Sequence, residues 1–218
     1  MLAKHMLLPI VMLSSWANAQ ILTHHYDFNG SAVIDSVGGA NGTLMGGATV
    51  EGGSVRFDGI DDYVQFGENI IPTDRRFILQ LVAQELTANP YPTELISQGW
   101  SGPAGFYFGY AWEHNVRIGD MLQNTPLPFP DDRLPHSYTI IAGGGLDTYF
   151  LTDGFLIETF KPIHVITGGS KTRLGRQFDP AWEFFHGSID ELSVWDAVPE
   201  PATTALLGLG LFAFRRKR

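Results

Sequence analysis

The chain has 218 residues, a formal net charge of −9 and no cysteine. Without cysteine it has neither disulfide bonds nor thiolate metal sites, so the folded state depends on its hydrophobic core. The charge is concentrated in residues 20–198, which contain 22 acidic and nine basic side chains and so carry a net charge of −13. Such an acidic domain repels nucleic acid and anionic membrane surfaces, which argues against both as partners.

Residues 1–19 have the features of a secretory signal peptide. Lys4 supplies the positive start, a short apolar core follows, and Ala17-Asn18-Ala19 is a small-x-small cleavage site. A buried N-terminal helix is the alternative, but Pro9 interrupts the apolar run. We therefore predict export, with cleavage after Ala19 by signal peptidase.

Short strands separated by turns follow. From Leu22 to Asn29, apolar and polar side chains alternate as in a half-buried strand. Similar segments recur roughly every 8 to 12 residues between Gly, Pro and Asp turns, and Asp153-Gly154 is typical of a two-residue hairpin. No long helical period appears, so the pattern predicts an all-β fold of two packed antiparallel sheets. Five side chains are predicted inside: Tyr26, Phe28, Phe57, Leu192 and Val194.

Three carboxylates lie within five residues in the turn that contains Asp58, Asp61 and Asp62. They repel one another unless hydrogen bonds or a cation offset the repulsion. In one interpretation the Asp side chains accept hydrogen bonds from backbone N–H groups of the turn. In the other they help to bind a calcium ion, which prefers oxygen ligands.

Four aromatic side chains share one face of a later strand: Phe106, Phe108, Tyr110 and Trp112. On an exposed sheet they would form a platform for sugars, whereas on an inner face they would fill the core, which we favour. Two tryptophans outside this alternation are the candidate ligand-binding residues. Trp100 lies in a Gly-Pro segment, and Trp182 lies in a predicted loop.

Four prolines between residues 122 and 135 exclude a helix or a central strand there. This segment is predicted to be a surface loop at the rim of the sandwich, where binding residues often lie.

The closing strand, residues 187–196, is predicted from its alternation to place Asp190, Leu192 and Val194 on one face. A carboxylate on a buried face must be hydrogen-bonded, paired or bound to metal. Asp190 is therefore a fourth candidate calcium ligand.

Several of these segments resemble the LamG-like, concanavalin A-like jelly-roll domain. The resemblance covers roughly residues 22–196 and implies a jelly-roll sandwich, and it allows calcium without identifying the ligands. It rests on Tyr26-Asp27-Phe28-Asn29-Gly30, Asp35-Ser36-Val37-Gly38, Asn41-Gly42-Thr43-Leu44, residues 57–64 and residues 187–196.

The C-terminal tail resembles the PEP-CTERM sorting signal of exported bacterial proteins. It consists of Pro199-Glu200-Pro201, an apolar run over residues 202–214, and four basic residues that begin with Arg215 and Arg216. The resemblance implies that a sorting protease, an exosortase, cuts near the Pro-Glu-Pro motif. The apolar run would span only about 20 Å as a helix, which suits a temporary transmembrane anchor held by the cytoplasmic basic residues.

The sequence argues against catalysis. Hydrolases of this fold class carry Glu-x-Asp-x-x-Glu or a close variant on one strand, and lyases carry Gln-Ile-His or Gln-Val-His; none of these is present. Asp190 and Glu191 are adjacent, so a regular strand sends them to opposite faces. The seven histidines show no spacing typical of zinc.

We therefore predict a non-catalytic jelly-roll domain at residues 20–198, followed by a sorting signal at residues 199–218. The domain would bind glycan or another matrix component at the cell surface or in the exopolysaccharide matrix. The alternatives are a structural matrix protein without a defined ligand and, third, a divergent carbohydrate-active enzyme.

Overall fold

The structure is a computed structural model. It describes residues 18–73, 75–87, 92–99, 105–111, 115–119, 121–122, 129–163, 165, 170–177 and 183–199. Residues 21–196 form one compact unit, and the two chain ends, residues 1–20 and 197–218, form a second. The ranges just given contain strands and turns but no helix, which confirms the predicted all-β class.

Fifteen strands lie within the described residues. They are β1 (Asn18–Tyr26), β2 (Gly42–Met45), β3 (Thr49–Glu51), β4 (Ser54–Asp58), β5 (Tyr63–Phe66), β6 (Phe77–Glu85), β7 (Thr93–Gly99), β8 (Phe106–Tyr110), β9 (Val116–Ile118), β10 (Met121–Leu122), β11 (His136–Ala142), β12 (Thr148–Thr152), β13 (Phe155–Phe160), β14 (Ser170–Leu174) and β15 (His186–Pro199).

The strands form two sheets. The first has the order β13-β12-β11-β6-β15-β4-β3, with β1 also paired to β15, and the second has the order β10-β9-β8-β7-β14-β5-β2. Neighbours within each order are antiparallel, as predicted. The predicted hairpin is present, because Asp153 and Gly154 join β12 to β13 with φ angles of 51° and 79°. The acidic turn of residues 58–62 carries the chain from the first sheet to the second.

The core lies between the sheets. All five side chains predicted inside are buried, which confirms that prediction. The β8 aromatics also face inward: Phe106 contacts Phe77 of β6, and Phe108 contacts Tyr138 of β11 and Phe150 of β12. Phe106, Phe108 and Tyr110 are fully buried, so they fill the core and form no exposed platform, whereas Trp112 lies outside the described residues.

A β-bulge in β15 changes the predicted faces of the closing strand. Ile189 pairs with Ala83 of β6 and Glu191 with the adjacent Val82, so Asp190 is an extra, unpaired residue. The prediction that Asp190 shares a face with Leu192 and Val194 is therefore wrong. The extra residue shifts the alternation, so that Ile189, Leu192 and Val194 are the fully buried side chains, while Asp190 is half-buried.

The proline-rich segment is a surface loop only in part. Residues 131–135 are exposed as predicted, but Phe129 is buried and stacks on Tyr138, with 4.7 Å between ring centroids. One aromatic ring thus anchors the loop to the core.

His136 ties this loop to the β12–β13 hairpin. Its Nδ1 lies 2.7 Å from Oδ2 of Asp153, and its Nε2 lies 2.9 Å from Oδ1 of Asp132. Burial acts to lower the pKa of His136, but its hydrogen bonds to the two carboxylates outweigh burial and raise it. When His136 is protonated, both ring nitrogens donate, and the side chain is then an imidazolium between two carboxylates.

We expect this link to weaken in alkaline solution. Because the pKa of His136 is raised on folding, its contribution to stability is complete below its unfolded pKa of about 6.5 and is lost as the pH rises through the folded value. The free energy of unfolding, measured by urea titration between pH 5.5 and 9, should fall more steeply for the native chain than for the His136→Gln variant. Parallel pH profiles for the two proteins would contradict the imidazolium assignment.

Candidate functional site

A cleft of about 260 Å³ lies beside β1, between the loop formed by residues 69–73 and 75 and the Asp196 side chain of β15. Its walls come from segments that are far apart in the sequence. The lining residues are Thr23, His24, Asn69, Ile70, Ile71, Pro72, Thr73, Arg75 and Asp196.

The floor of the cleft is fixed from inside the protein. The Ile70 N–H donates to Oγ1 of Thr172 at 2.9 Å, and the Ile71 N–H donates to Oε1 of Gln98 at 3.0 Å. Nε2 of Gln98 donates in return to the Ile71 carbonyl at 2.8 Å. Gln98 and Thr172 are buried, so their polar atoms require these partners and hold the loop in one conformation.

His24 is held on one side of the cleft by the buried Asp35. Nδ1 of His24 lies 2.7 Å from Oδ2 of Asp35. The Asp35 carboxylate also accepts hydrogen bonds from four backbone N–H groups, those of His25, Val37, Gly38 and Ala40. Burial acts to raise the pKa of Asp35, but these bonds and the His24 side chain outweigh it and lower the pKa to about 2. Asp35 is thus charged at neutral pH and supports His24.

Gly38 allows this close packing. A Cβ at this position would lie 2.4 Å from the Thr23 carbonyl oxygen, 2.5 Å from Nδ1 of His24 and 2.8 Å from Oδ2 of Asp35. A larger residue would therefore displace His24 from its support.

An ion pair forms the other side of the cleft. Nη1 of Arg75 lies 2.8 Å from Oδ2 of Asp196. The Arg75 side chain is 65% exposed, whereas that of Asp196 is only 17% exposed. The cleft therefore combines hydrogen-bond donors and acceptors with the apolar side chains of Ile70, Ile71 and Pro72.

A second polar cluster lies on the outer face of the other sheet. Nη1 of Arg117 is 3.0 Å from Oε1 of Glu94 and 2.8 Å from Oε2 of Glu183, and its guanidinium lies over the Tyr107 ring at 4.2 Å. Burial raises the pKa of Glu94 well above its ordinary value, although the charge of Arg117 acts in the opposite direction. Because the Glu94 N–H also donates to the Glu183 carbonyl, the cluster fastens the segment before β15 onto β7.

Gly109 brings Glu94 and Arg117 together. It pairs with Glu94 on one side and with Arg117 on the other, so the two long side chains meet above a residue without a side chain. A Cβ there would lie 1.9 Å from the Thr93 carbonyl oxygen. Sequence reasoning missed this cluster because Glu94 of β7, Arg117 of β9 and Glu183 before β15 are far apart in the sequence.

The three predicted calcium ligands of the acidic turn come together. Asp58, Asp61 and Asp62 place one ligand oxygen each within 4.8 Å of one another. Their hydrogen bonds match the turn interpretation: Asp62 accepts from the Gly47 and Asp58 N–H groups, and Asp58 accepts from the Ile60 N–H.

Asp190 does not belong to this group of described residues. It lies at the β15 bulge, where burial raises its pKa, while a hydrogen bond with Ser188 and the charge of Arg56 act in the opposite direction.

The two candidate ligand-binding tryptophans, Trp100 and Trp182, lie outside the described residues, and so does the tail from Glu200 onward. Within the described part of the chain, no helix is long and apolar enough to cross a membrane. Of the predicted processing residues, Ala19 falls in β1 and Pro199 ends β15, whereas Pro201, Arg215 and Arg216 are not described.

Comparison with known proteins identifies the tail. A family model of the PEP-CTERM protein-sorting motif matches residues 197–218, which confirms the predicted sorting signal. This motif indicates export and membrane-associated sorting toward the cell surface. No curated protein sequence matches the chain.

Solved structures share the fold at low sequence identity. Domain 4 of AbnA, an extracellular GH43 arabinanase from Geobacillus stearothermophilus in complex with arabinotriose, is 16% identical, with a TM-score of 0.65 over 86% of this chain and 98% of that one. Trypanosoma rangeli sialidase in complex with sialic acid is 12% identical, with a TM-score of 0.62 over 84% of this chain and 32% of that one.

A third structure is of botulinum neurotoxin type C, whose cell entry depends on two ganglioside molecules. It is 13% identical, with a TM-score of 0.54 over 87% of this chain and 51% of that one. These similarities show a shared β-sandwich fold, and the narrower LamG-like assignment stays a prediction.

Proposed function

We propose that the chain is an exported, non-catalytic glycan-binding domain that is delivered to the cell surface or the exopolysaccharide matrix. The observation that carries this proposal is the cleft. His24 is held by the buried Asp35, and the backbone of Ile70 and Ile71 is held by the buried Thr172 and Gln98, so these groups lose little conformational entropy when a ligand binds. Delivery to the surface follows from the sorting motif.

The structural neighbours support a carbohydrate ligand by analogy. The arabinanase domain was solved with arabinotriose, the sialidase with sialic acid, and the neurotoxin depends on gangliosides. Those ligands belong to those proteins, and one fold can carry many functions. The analogy therefore gives the class of ligand to test first.

A screen of glycans and polysaccharides against the exported protein tests the proposal. We expect binding to at least one polysaccharide, and we expect Gly38→Val to weaken that binding because it displaces His24. Binding to none would favour the alternative of a structural matrix protein. Sugar release or eliminative cleavage in the same wells would favour the enzyme, for which His24 backed by Asp35 resembles an oriented general base.

Structural calcium in the acidic turn is a second proposal, supported by the convergence of Asp58, Asp61 and Asp62. An ion bound only to the folded state stabilises it by mass action. We expect millimolar calcium to raise the melting temperature above that in chelator, and Asp61→Asn to remove the difference. Asp190→Asn tests the fourth predicted ligand separately. Identical melting curves with calcium and with chelator would exclude a stabilising ion.

The proposed processing partners are signal peptidase at Ala19 and an exosortase-type protease at Pro199-Glu200-Pro201. Between the two cleavages, residues 202–214 would hold the protein in the inner membrane.

A further inference from the structure

We infer that the cleft selects an uncharged sugar residue over a uronic acid or another anionic sugar, and that the Arg75–Asp196 pair recognises two adjacent hydroxyl groups. This inference rests on the proposed glycan-binding function. It concerns the charge and shape of the ligand, which neither the fold nor the sorting motif determines.

The formal charges of the described lining residues cancel. Among the lining residues that the structure describes, the two with a permanent formal charge are Arg75 and Asp196, which lie 2.8 Å apart. A ligand carboxylate that bound Arg75 would lie beside Asp196, and two carboxylates this close repel each other. A carboxylate that displaced Asp196 would leave a largely buried charge without its partner, which is costly.

The net charge of the whole domain also disfavours an anionic ligand. Residues 20–198 carry a net charge of −13, so the summed field lowers the local concentration of an anionic glycan. An uncharged sugar avoids this repulsion and lets the ion pair remain intact.

The pair suits the chemistry of adjacent hydroxyl groups. A hydroxyl both donates and accepts, so one sugar hydroxyl can accept from the Arg75 guanidinium while its neighbour donates to the Asp196 carboxylate. Oδ1 of Asp196 is buried and accepts no hydrogen bond in the structure. The ligand hydroxyl would therefore bond to Oδ2, which has a second lone pair besides the one that accepts from Arg75, because a buried Oδ1 offers no surface to a ligand.

The size of the cleft suits about one sugar residue. Its volume of about 260 Å³ is below the range of roughly 300 to 1,000 Å³ that is usual for drug-sized ligands. The described lining residues include no aromatic ring other than the His24 imidazole, so hydrogen bonds must orient the sugar.

Calorimetric titration with paired oligosaccharides tests this inference. Each pair has the same linkage and length and differs only at C6, as in galacto- and galacturono-oligosaccharides or gluco- and glucurono-oligosaccharides. We expect the full exported protein to bind the neutral member of the preferred pair at least about tenfold more tightly than the acidic member. Arg75→Gln should weaken binding of the neutral sugar by about tenfold, because it removes the guanidinium that donates to one hydroxyl. The Arg75 side chain is 65% exposed, so the fold should tolerate this change.

Asp196→Asn gives the sharpest result, because it removes the negative charge and keeps the shape. The uronic acid should then bind at least about tenfold more tightly than it binds the native chain, since Arg75 is now unpaired. Asp131→Asn is the matched control. Asp131 also pairs with an arginine, Arg133, at 3.0 Å but does not line the cleft, so this substitution should leave the affinity for both sugars unchanged.

The outcomes separate the inference from the proposed function. Equal or tighter binding of the uronic acid by the native chain would overturn the inference while the glycan-binding function stands. An unchanged affinity in both cleft variants would also overturn it, by placing the binding site elsewhere. If neither member of any pair bound, and the polysaccharide screen were also negative, the inference and the proposed function would fall together.

Discussion

Val194→Asp is expected to lower the free energy of unfolding by about 4 kcal/mol, the upper part of the range for single substitutions. Val194 is fully buried in β15, where it pairs with Leu79 of β6 near the middle of the first sheet. Val194 belongs to the hydrophobic core cluster, where the desolvation of a carboxylate is costly. The protein would have to bury the charge, protonate it or open the strand.

Urea unfolding followed by circular dichroism measures this change, and Leu156→Asp is the matched control. Leu156 is also an aliphatic strand residue, but its side chain is 57% exposed on β13, at the edge of the same sheet. We expect the control to change the free energy of unfolding by less than about 0.5 kcal/mol. Equal losses in the two variants, or none in Val194→Asp, would contradict the buried position of β15.

The architecture was predictable because each strand carries its own signal. Two examples are the apolar alternation at Tyr26 and Phe28 and the hairpin turn at Asp153-Gly154. Both depend only on residues that are adjacent in the sequence. The same local reasoning failed at Asp190. A bulge inserts a residue without changing the hydrophobic composition, and its position depends on the pairing of β15 with β6.

The cleft could not be predicted for a different reason. His24, Ile70 and Asp196 are separated by more than 40 residues in each interval, and only the packing of β1 and the loop formed by residues 69–73 and 75 beside β15 brings them together. Nor does a sequence show that Gln98 and Thr172 face inward to hold that loop. By contrast, the acidic turn is contiguous in the chain, so its three carboxylates could be identified together.

Processing at the C-terminus is expected to be complete in the mature protein. The family model matches residues 197–218, and β15 ends at Pro199. Proline lacks an N–H group and restricts the residue before it to extended conformations, so we expect the Pro-Glu-Pro motif to be accessible to a protease. Mass spectrometry of the surface form should therefore find Gln20 at the start and no peptide beyond about residue 201.

Replacing Pro199-Glu200-Pro201 with three alanines should abolish this cleavage, so that the tail peptides appear in full and the protein stays in the membrane fraction. The matched control changes Thr203 and Thr204 to alanine, which alters the same segment outside the motif and should leave cleavage intact. The effect is all-or-none because the tail holds the predicted anchor, and one cut releases the domain. A mature surface form of the native chain that retains Arg215 and Arg216 would contradict this mechanism, and a cytoplasmic form that begins at Met1 would contradict export itself.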